Sequence, residues 1–318
     1  MGFPRVAVIV PMYDSGPRLI ETLESIVAQT YSGWEAILVD DASNDDTLER
    51  AQAFARREPR MRVVPLTSNV GVAGARNVAI QRSRGELVAL LDHDDRWRED
   101  YLEHTIALVD EARAAGRRPG IVACDAIVET PDGVPPQTYA TRFGGVDDIT
   151  LDSMIQRNRI CARALFTRAA YDEVGGFSTV CPGSDDYDLW LRMIEAGHEV
   201  LSITEPLAVY RLHGTNLSGN KVLMIDGALA TYARALHRGA LSAAQQRAVR
   251  ARRRHYLALH ERELALRALA DRRLLAAGVC ALRATPFCIV AFLQSPARWR
   301  EWLIHGRGRR GLARITSS

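Results

Sequence analysis

The run Asp92-His93-Asp94-Asp95 closes an apolar stretch, Leu87-Val-Ala-Leu-Leu91. Three acids within four residues repel one another unless a hard cation or a set of bound donors neutralises them. Mg²⁺ or Mn²⁺ held by one or two carboxylates, with a diphosphate completing the shell, answers that need. The competing local explanation is that Asp94 and Asp95 cap a helix starting near Tyr101. A second apolar stretch ends in Asp40-Asp41. An Asp there can hydrogen-bond a base or ribose edge but is poorly suited to grip phosphate. The following Ser43-Asn44-Asp45-Asp46 are ordinary turn and helix-capping residues. A third group is Gly175-Gly176-Phe177 followed by Ser184-Asp185-Asp186-Tyr187-Asp188-Leu189-Trp190-Leu191-Arg192. Acids at the start of a helix are favoured by its dipole. An acid lying across a cleft from the first group is also well placed as a general base. The fourth is Tyr210-Arg211-Leu212-His213-Gly214-Thr215-Asn216, whose lone histidine is ordinarily solvated or packed.

These groups need a scaffold that brings strand ends together. Val6–Val10, Ala36–Val39, Val63–Pro65, Leu87–Leu91 and Ile121–Ala123 read as buried strands. Pro17–Gln29, Thr47–Arg57, Val72–Arg82 and Tyr101–Ala115 read as amphipathic helices between them. The alternation predicts an α/β fold with a mostly parallel sheet flanked by helices. Ligands of such sheets bind beyond the carboxyl ends of the strands, where the first two acidic groups stand. A helix near Asp186–Ala196 and a strand near Glu199–Ile203 follow, and residues 222–280 read as almost wholly helical. A boundary is expected near residue 220, giving a catalytic domain over 1–220 and a basic helical region over 221–318.

The chain has 318 residues, 47% hydrophobic and 25% charged, which excludes disordered, collagen-like and disulfide-scaffold classes. Its net charge of +3 hides a split: residues 221–318 hold 18 Arg and one Lys against five acids, a net +14, leaving −11 for residues 1–220. Five scattered cysteines without a CxxC pair argue against zinc or disulfides. No secretory signal is expected, and the most apolar stretch, Leu274–Leu293, is interrupted by Arg283 and Pro286. Phosphate-cradling GxxxxGK[ST], GxGxxG after the first strand, GxSxG and HExxH are all absent from the sequence.

The ordered set of motifs resembles the family 2 glycosyltransferases, which have the GT-A fold. The matching pieces are Val10-Pro-Met-Tyr13, Leu38-Val-Asp-Asp41-Ala-Ser43, Asn69-Val-Gly71-Val-Ala-Gly74-Ala-Arg76-Asn77, Leu91-Asp-His-Asp-Asp95, Gly175-Gly-Phe177, Asp185-Asp-Tyr-Asp-Leu-Trp-Leu-Arg192 and Tyr210-Arg-Leu-His213. The resemblance implies a Mn²⁺- or Mg²⁺-dependent enzyme that moves a sugar, with inversion, from a nucleoside-diphosphate donor to a glycan or lipid-linked acceptor. UDP is the favoured nucleotide over dTDP. Carried over by position, Pro11, Tyr13, Asp41, Arg76 and Asp92 belong to the donor pocket. Asp94 and His213 belong to the metal, Asp186 is the base, and Asp185 falls where an acceptor contact is made. The sequence departs from the pattern at Asp14 (usually Asn), at His93 (usually small) and at Asp185 (usually Glu), whose shorter side chain pulls back from an acceptor.

The basic tail interleaves Trp299, Trp302, Leu303 and Ile304 with arginines. This composition suits a helix lying at an anionic membrane surface, expected over residues 286–310. The protein is then expected to be cytoplasmic and peripheral on the inner face of the cell membrane. Gly306-Arg-Gly-Arg-Arg-Gly311 is too short to name a nucleic-acid module, and no nucleic-acid partner is expected. Two other readings stand beside the transferase: a non-catalytic glycan-binding or scaffolding protein on the same fold, and a Mg²⁺-dependent nucleotidyltransferase. The latter would normally need a basic, Gly-rich triphosphate loop, whereas Pro11 to Gly16 holds no base and the first is Arg18.

Overall fold

The computed structural model describes residues 4–131, 136–161 and 163–271. The chain forms β1 (Val6–Met12), α1 (Arg18–Val27), β2 (Trp34–Asp40), α2 (Thr47–Ala55), β3 (Met61–Pro65), α3 (Gly71–Arg82), β4 (Leu87–Leu90), β5 (Arg96–Trp97) and α4 (Tyr101–Ala114). It continues with β6 (Pro119–Glu129), β7 (Gln137–Thr138), α5 (Tyr139–Phe143), α6 (Leu151–Gln156), β8 (Leu165–Thr167), α7 (Arg168–Glu173), α8 (Asp185–Glu195), β9 (Glu199–Arg211), α9 (Lys221–Arg238) and α10 (Ala243–Ala270). Two compact units divide at Arg252 and Arg253.

The sheet order is β3-β2-β1-β4-β8-β6-β9-β5, with β7 on β6. Its long pairings, β1 with β2 and β4, β2 with β3, and β6 with β9, are all parallel. The antiparallel pairings of β8, β5 and β7 span two or three residues each. Every residue of β1, β2 and β4 is buried. That is why they read as continuous apolar runs rather than alternating ones. Val6, Val8, Val10 and Met12 share a core with Leu19, Leu23 and Ile26 of α1 and with Ile106 and Val109 of α4.

The chain passes from β1 outward to β3 and then returns to the other side of β1 as β4, so the switch point lies between β1 and β4. Pro11 helps open it. The Ile9 carbonyl accepts from the Leu91 amide at 3.1 Å, and residue 11 faces the same side by strand parity. The pairing with β4 stops at Leu90, so the missing amide of Pro11 breaks no ladder bond there.

Several elements differ from the sequence expectation. β6 and β9 run to 11 and 13 residues, with register shifts around Asp125. Their apolar pattern is interrupted by Asp125, whose Oδ1 accepts the Ala126 and Ala140 amides, and by Pro206. β5 and β8 are too short to carry a period. The helical tail is broken after Arg238 by Gly239 at φ 73°, a left-handed helix stop. Asp94 and Asp95 do not cap α4, whose N-cap position is Asp100.

The first unit also runs past the composition change at residue 220. Helix α9 stays with it because Asp188, fully buried on α8, accepts from Arg234 at 3.0 Å and Arg238 at 3.4 Å, and Tyr232 donates to the Ile155 carbonyl at 3.0 Å. The described part of the second unit is helical to Ala270. The expected membrane-facing stretch, 286–310, lies outside the described residues.

Candidate active site

The acids predicted from the sequence gather at the carboxyl edge of the sheet. Asp40 ends β2, Asp41 follows it, and both are buried. The Asp40 carboxylate takes the Ser43 hydroxyl and closes that turn. Asp41 Oδ1 accepts the Val70 amide at 2.7 Å and so ties the β2 end to the start of α3. Burial pushes the Asp41 carboxyl up, and the Val70 amide opposes it. Tyr13 is exposed beside this turn, its hydroxyl accepting from Asn44 at 3.2 Å. Asp14 and Ala42 hold positive φ values of 44° and 59°. Such backbone strain is concentrated in loops whose shape matters more than their ease of folding.

Arg76 on α3 is the hub. Its side chain is 4% exposed, with Nη2 on Asp92 Oδ1 at 2.7 Å and Nη1 on Asp185 Oδ2 at 2.8 Å. Those contacts join the end of β4 to the start of α8, residues 93 positions apart in the chain. The Gly-Gly-Phe turn supports it from behind. Asn77 donates to the Phe177 carbonyl at 2.9 Å and accepts the Phe177 amide at 3.0 Å, which sets the Phe177 ring 5.5 Å from the Arg76 guanidinium. Gly176 has φ 76°, and a Cβ there would stand 2.7 Å from the Tyr171 hydroxyl, so the turn requires glycine.

Burial alone would raise the Asp92 carboxyl, but Arg76 and Arg163 outweigh it and hold Asp92 below the usual carboxylate range. Asp186 is in the opposite condition. Its Oδ1 accepts the Tyr187 amide at 2.7 Å and its Oδ2 accepts from Asn158 at 3.3 Å. Burial and the neighbouring Asp185 charge push its pKa up to about 7, against the pull of Arg76. Asp185 itself is 3% exposed with its carboxylate turned to Arg76. The shorter side chain therefore faces inward, where a residue longer by one methylene would reach further.

On the other side of the edge, His213 Nε2 lies 2.9 Å from Asp94 Oδ2, and Asn216 Nδ2 lies 3.1 Å from the same oxygen. The pairing of β5 with β9 at Arg96–Val209 brings these loops together. The β9 end is fixed further by Asp95, which is buried, forms an ion pair with Arg163 and accepts the Arg211 amide at 3.0 Å. Arg163 in turn stacks 4.3 Å from the Tyr210 ring. Asp94 Oδ2 and His213 Nε2 contact each other directly, and a carboxylate oxygen beside an imidazole nitrogen is a donor pair of the kind that suits Mn²⁺ or Mg²⁺, with other positions left to water and phosphate. Among the described residues no set of three or more His, Cys, Asp or Glu side chains forms a fuller cage. The two donors thus fit a cation whose shell a bound diphosphate completes.

All the expected site residues therefore sit along one edge, from Pro11, Tyr13 and Asp41 through Arg76, Asp92 and Asp94 to Asp185, Asp186 and His213. Sequence reasoning did not single out Asn158, Arg163 or Asn216. Asn158 and Arg163 lie in the patternless stretch before β8. Asn216 stood in the fourth group but carried no signal of its own.

Comparison with known proteins agrees with this geometry. Residues 7–175 match Glycosyl transferase family 2. The chain is 30% identical over 219 residues, 69% of its length and 83% of the relative, to the putative teichuronic acid biosynthesis glycosyltransferase TuaG of Bacillus subtilis. It is 26% identical over 68% of its length to the Escherichia coli UDP-Glc:alpha-D-GlcNAc-diphosphoundecaprenol beta-1,3-glucosyltransferase WfaP, covering 80% of that protein. Its fold resembles that of the mannosyltransferase PcManGT from Pyrobaculum calidifontis, solved with GDP-Man and Mn²⁺. The TM-score is 0.63 at 21% identity, over 95% of this chain and 84% of that one. With the family matched across more than half of the chain and the motif residues gathered on one sheet edge, the protein belongs to glycosyl transferase family 2 and is a glycosyltransferase with a GT-A fold.

Proposed function

We propose that the protein transfers a sugar, with inversion, from a nucleoside-diphosphate donor to a hydroxyl of a glycan or lipid-linked acceptor in cell-surface polysaccharide or glycoconjugate synthesis. UDP is favoured over dTDP, in keeping with the donor in the name of WfaP. The observation that carries the reading is the link through Arg76. One guanidinium holds Asp92 on the donor side and Asp185 on the other, next to Asp186, a carboxyl with a pKa of about 7. A proton acceptor poised near neutral pH, across from a site for a charged leaving group, is the pairing that inverting transfer needs.

In this reading Pro11, Tyr13 and Asp41 bind the nucleoside, with Asp41 at the base. Asp94 and His213 hold Mn²⁺ or Mg²⁺, which when bound neutralises negative charge on the departing nucleoside diphosphate. Asp186 takes the proton of the acceptor hydroxyl as its oxygen attacks the anomeric carbon from the face opposite the diphosphate. The anomeric C–O bond to the diphosphate breaks, the sugar passes through an oxocarbenium-like state, and the configuration inverts. Asn158 keeps the Asp186 carboxylate turned toward the acceptor.

No described helix is long and apolar enough to cross a membrane. On the strength of the Arg- and Trp-rich composition of residues 286–310, the reading also includes a cytoplasmic enzyme that meets a lipid-linked acceptor from the inner membrane face.

The test is calorimetric titration of UDP and dTDP with and without Mn²⁺ on wild type, Asp94→Ala and Asp186→Asn. The expected outcome is binding that Mn²⁺ tightens, with that tightening lost in Asp94→Ala and kept in Asp186→Asn, and with transfer abolished in the latter. Equal loss of binding and transfer in Asp186→Asn would remove it from the base role.

A further inference from the structure

A nucleoside diphosphate brings at least two negative charges to an edge that already holds Asp92, Asp94, Asp95, Asp185 and Asp186. The cations around it are mostly committed. Arg76 is bound to Asp92 and Asp185, Arg163 to Asp95, and Arg96 to Glu129. Arg211 is bound to Glu21 at 2.8 Å. Arg18, the first residue of α1, differs: it makes no ion pair with a carboxylate among the described residues. Its Nη2 lies 3.5 Å from His213 Nδ1, on the side of the imidazole away from Asp94. Its Nε is buried and without a hydrogen-bond partner. The turn carrying it is fixed, because the Arg18 carbonyl accepts from Arg211 Nη2 at 3.3 Å and from Thr22 Oγ1 at 3.3 Å.

We propose that Arg18 is the cationic side chain of this protein that contacts the donor diphosphate directly, one imidazole ring from the Asp94–His213 pair. This rests on the nucleoside-diphosphate reading above. A planar guanidinium offers paired donors to phosphate oxygens, and an uncommitted one needs no existing ion pair to break first. Arg18 stabilises charge on the leaving group from the protein side, so the diphosphate does not depend on a cation alone. The loop from Pro11 to Gly16, which lacks any basic residue, passes this role to the first turn of α1.

The test is UDP affinity by calorimetry, measured with Mn²⁺ and again with EDTA, on wild type, Arg18→Met and Arg18→Lys. Uridine binding by ligand-observed NMR is the diphosphate-free control; dTDP and thymidine replace the pair if wild type prefers them. Arg18→Met keeps the aliphatic stem and is expected to weaken UDP by about 10- to 100-fold, the effect of a lost charge-assisted hydrogen bond. The loss should persist in EDTA, leave uridine within twofold, and be partly recovered in Arg18→Lys. Unchanged UDP affinity would overturn the proposal, and so would an equal loss for uridine. A loss seen only with Mn²⁺ would also overturn it, since Arg18 would then act through His213. Failure of folded wild type to bind either diphosphate would instead overturn the donor reading beneath it.

Discussion

Replacing Asp186 by Asn should make the protein more stable and inactive at once, with both effects following one pKa. Burial and the Asp185 charge raise the Asp186 carboxyl from 3.8 to about 7. The native state therefore prefers the protonated form. The cost of the charge is absent near pH 4, grows through the interval up to 7, and is fully present above it. In a wholly dry site a rise of that size corresponds to ~4 kcal/mol. Asp186 keeps partial contact with solvent, which reduces the expectation to about 1–2 kcal/mol. Asparagine is isosteric, keeps an oxygen for the Tyr187 amide and removes the charge. Thermal unfolding of Asp186→Asn should match wild type near pH 4.5 and exceed it at pH 8 by roughly 2–8 °C. In wild type, kcat/KM should rise about tenfold between pH 6 and pH 8 as the carboxyl loses its proton. A flat pH profile, or a variant no more stable at pH 8 than at pH 4.5, would refute the argument that one strained carboxylate carries the proton transfer.

Asn158→Ala should lower kcat about tenfold with little change in donor KM, because the side chain touches Asp186 and nothing on the donor side; steady-state kinetics decides it. Arg76→Met leaves Asp92 and Asp185 facing each other unpaired and should cost about 3–5 kcal/mol in urea unfolding. Arg76→Lys keeps the charge but not the fork, so it should recover only part of that loss. Asp188→Asn strips the charge that holds Arg192, Arg234 and Arg238, and should cost about 2–4 kcal/mol while speeding hydrogen exchange in α9. Exchange unchanged in α9 would show that Tyr232 and its neighbours suffice to hold the helix.

What the sequence determined alone is local and repetitive. Strands β1, β2 and β4 are buried on both faces, so each had to be a continuous apolar run. Helix α1 shows its period through Leu19, Leu23 and Ile26, whereas α3, expected to be amphipathic, buries Arg76 beside Ala73, Ala79 and Ile80 and so shows almost no apolar period. The acids that end those strands were readable because an open parallel sheet binds its ligand at that edge whatever its sequence. The tertiary structure decided which acids are neutralised and which are not. Arg76 meets Asp185 across 109 residues, Asp94 meets His213 across 119, and Asn158 reaches Asp186 from a segment without period or motif. No spacing rule spans such distances, because the chain between is free to take any path until the sheet closes. The same closure turned Asp185 inward, left Asp186 with a pKa near 7 and left Arg18 uncommitted. These are properties of the charges that surround a side chain, and those neighbours exist only in the folded molecule.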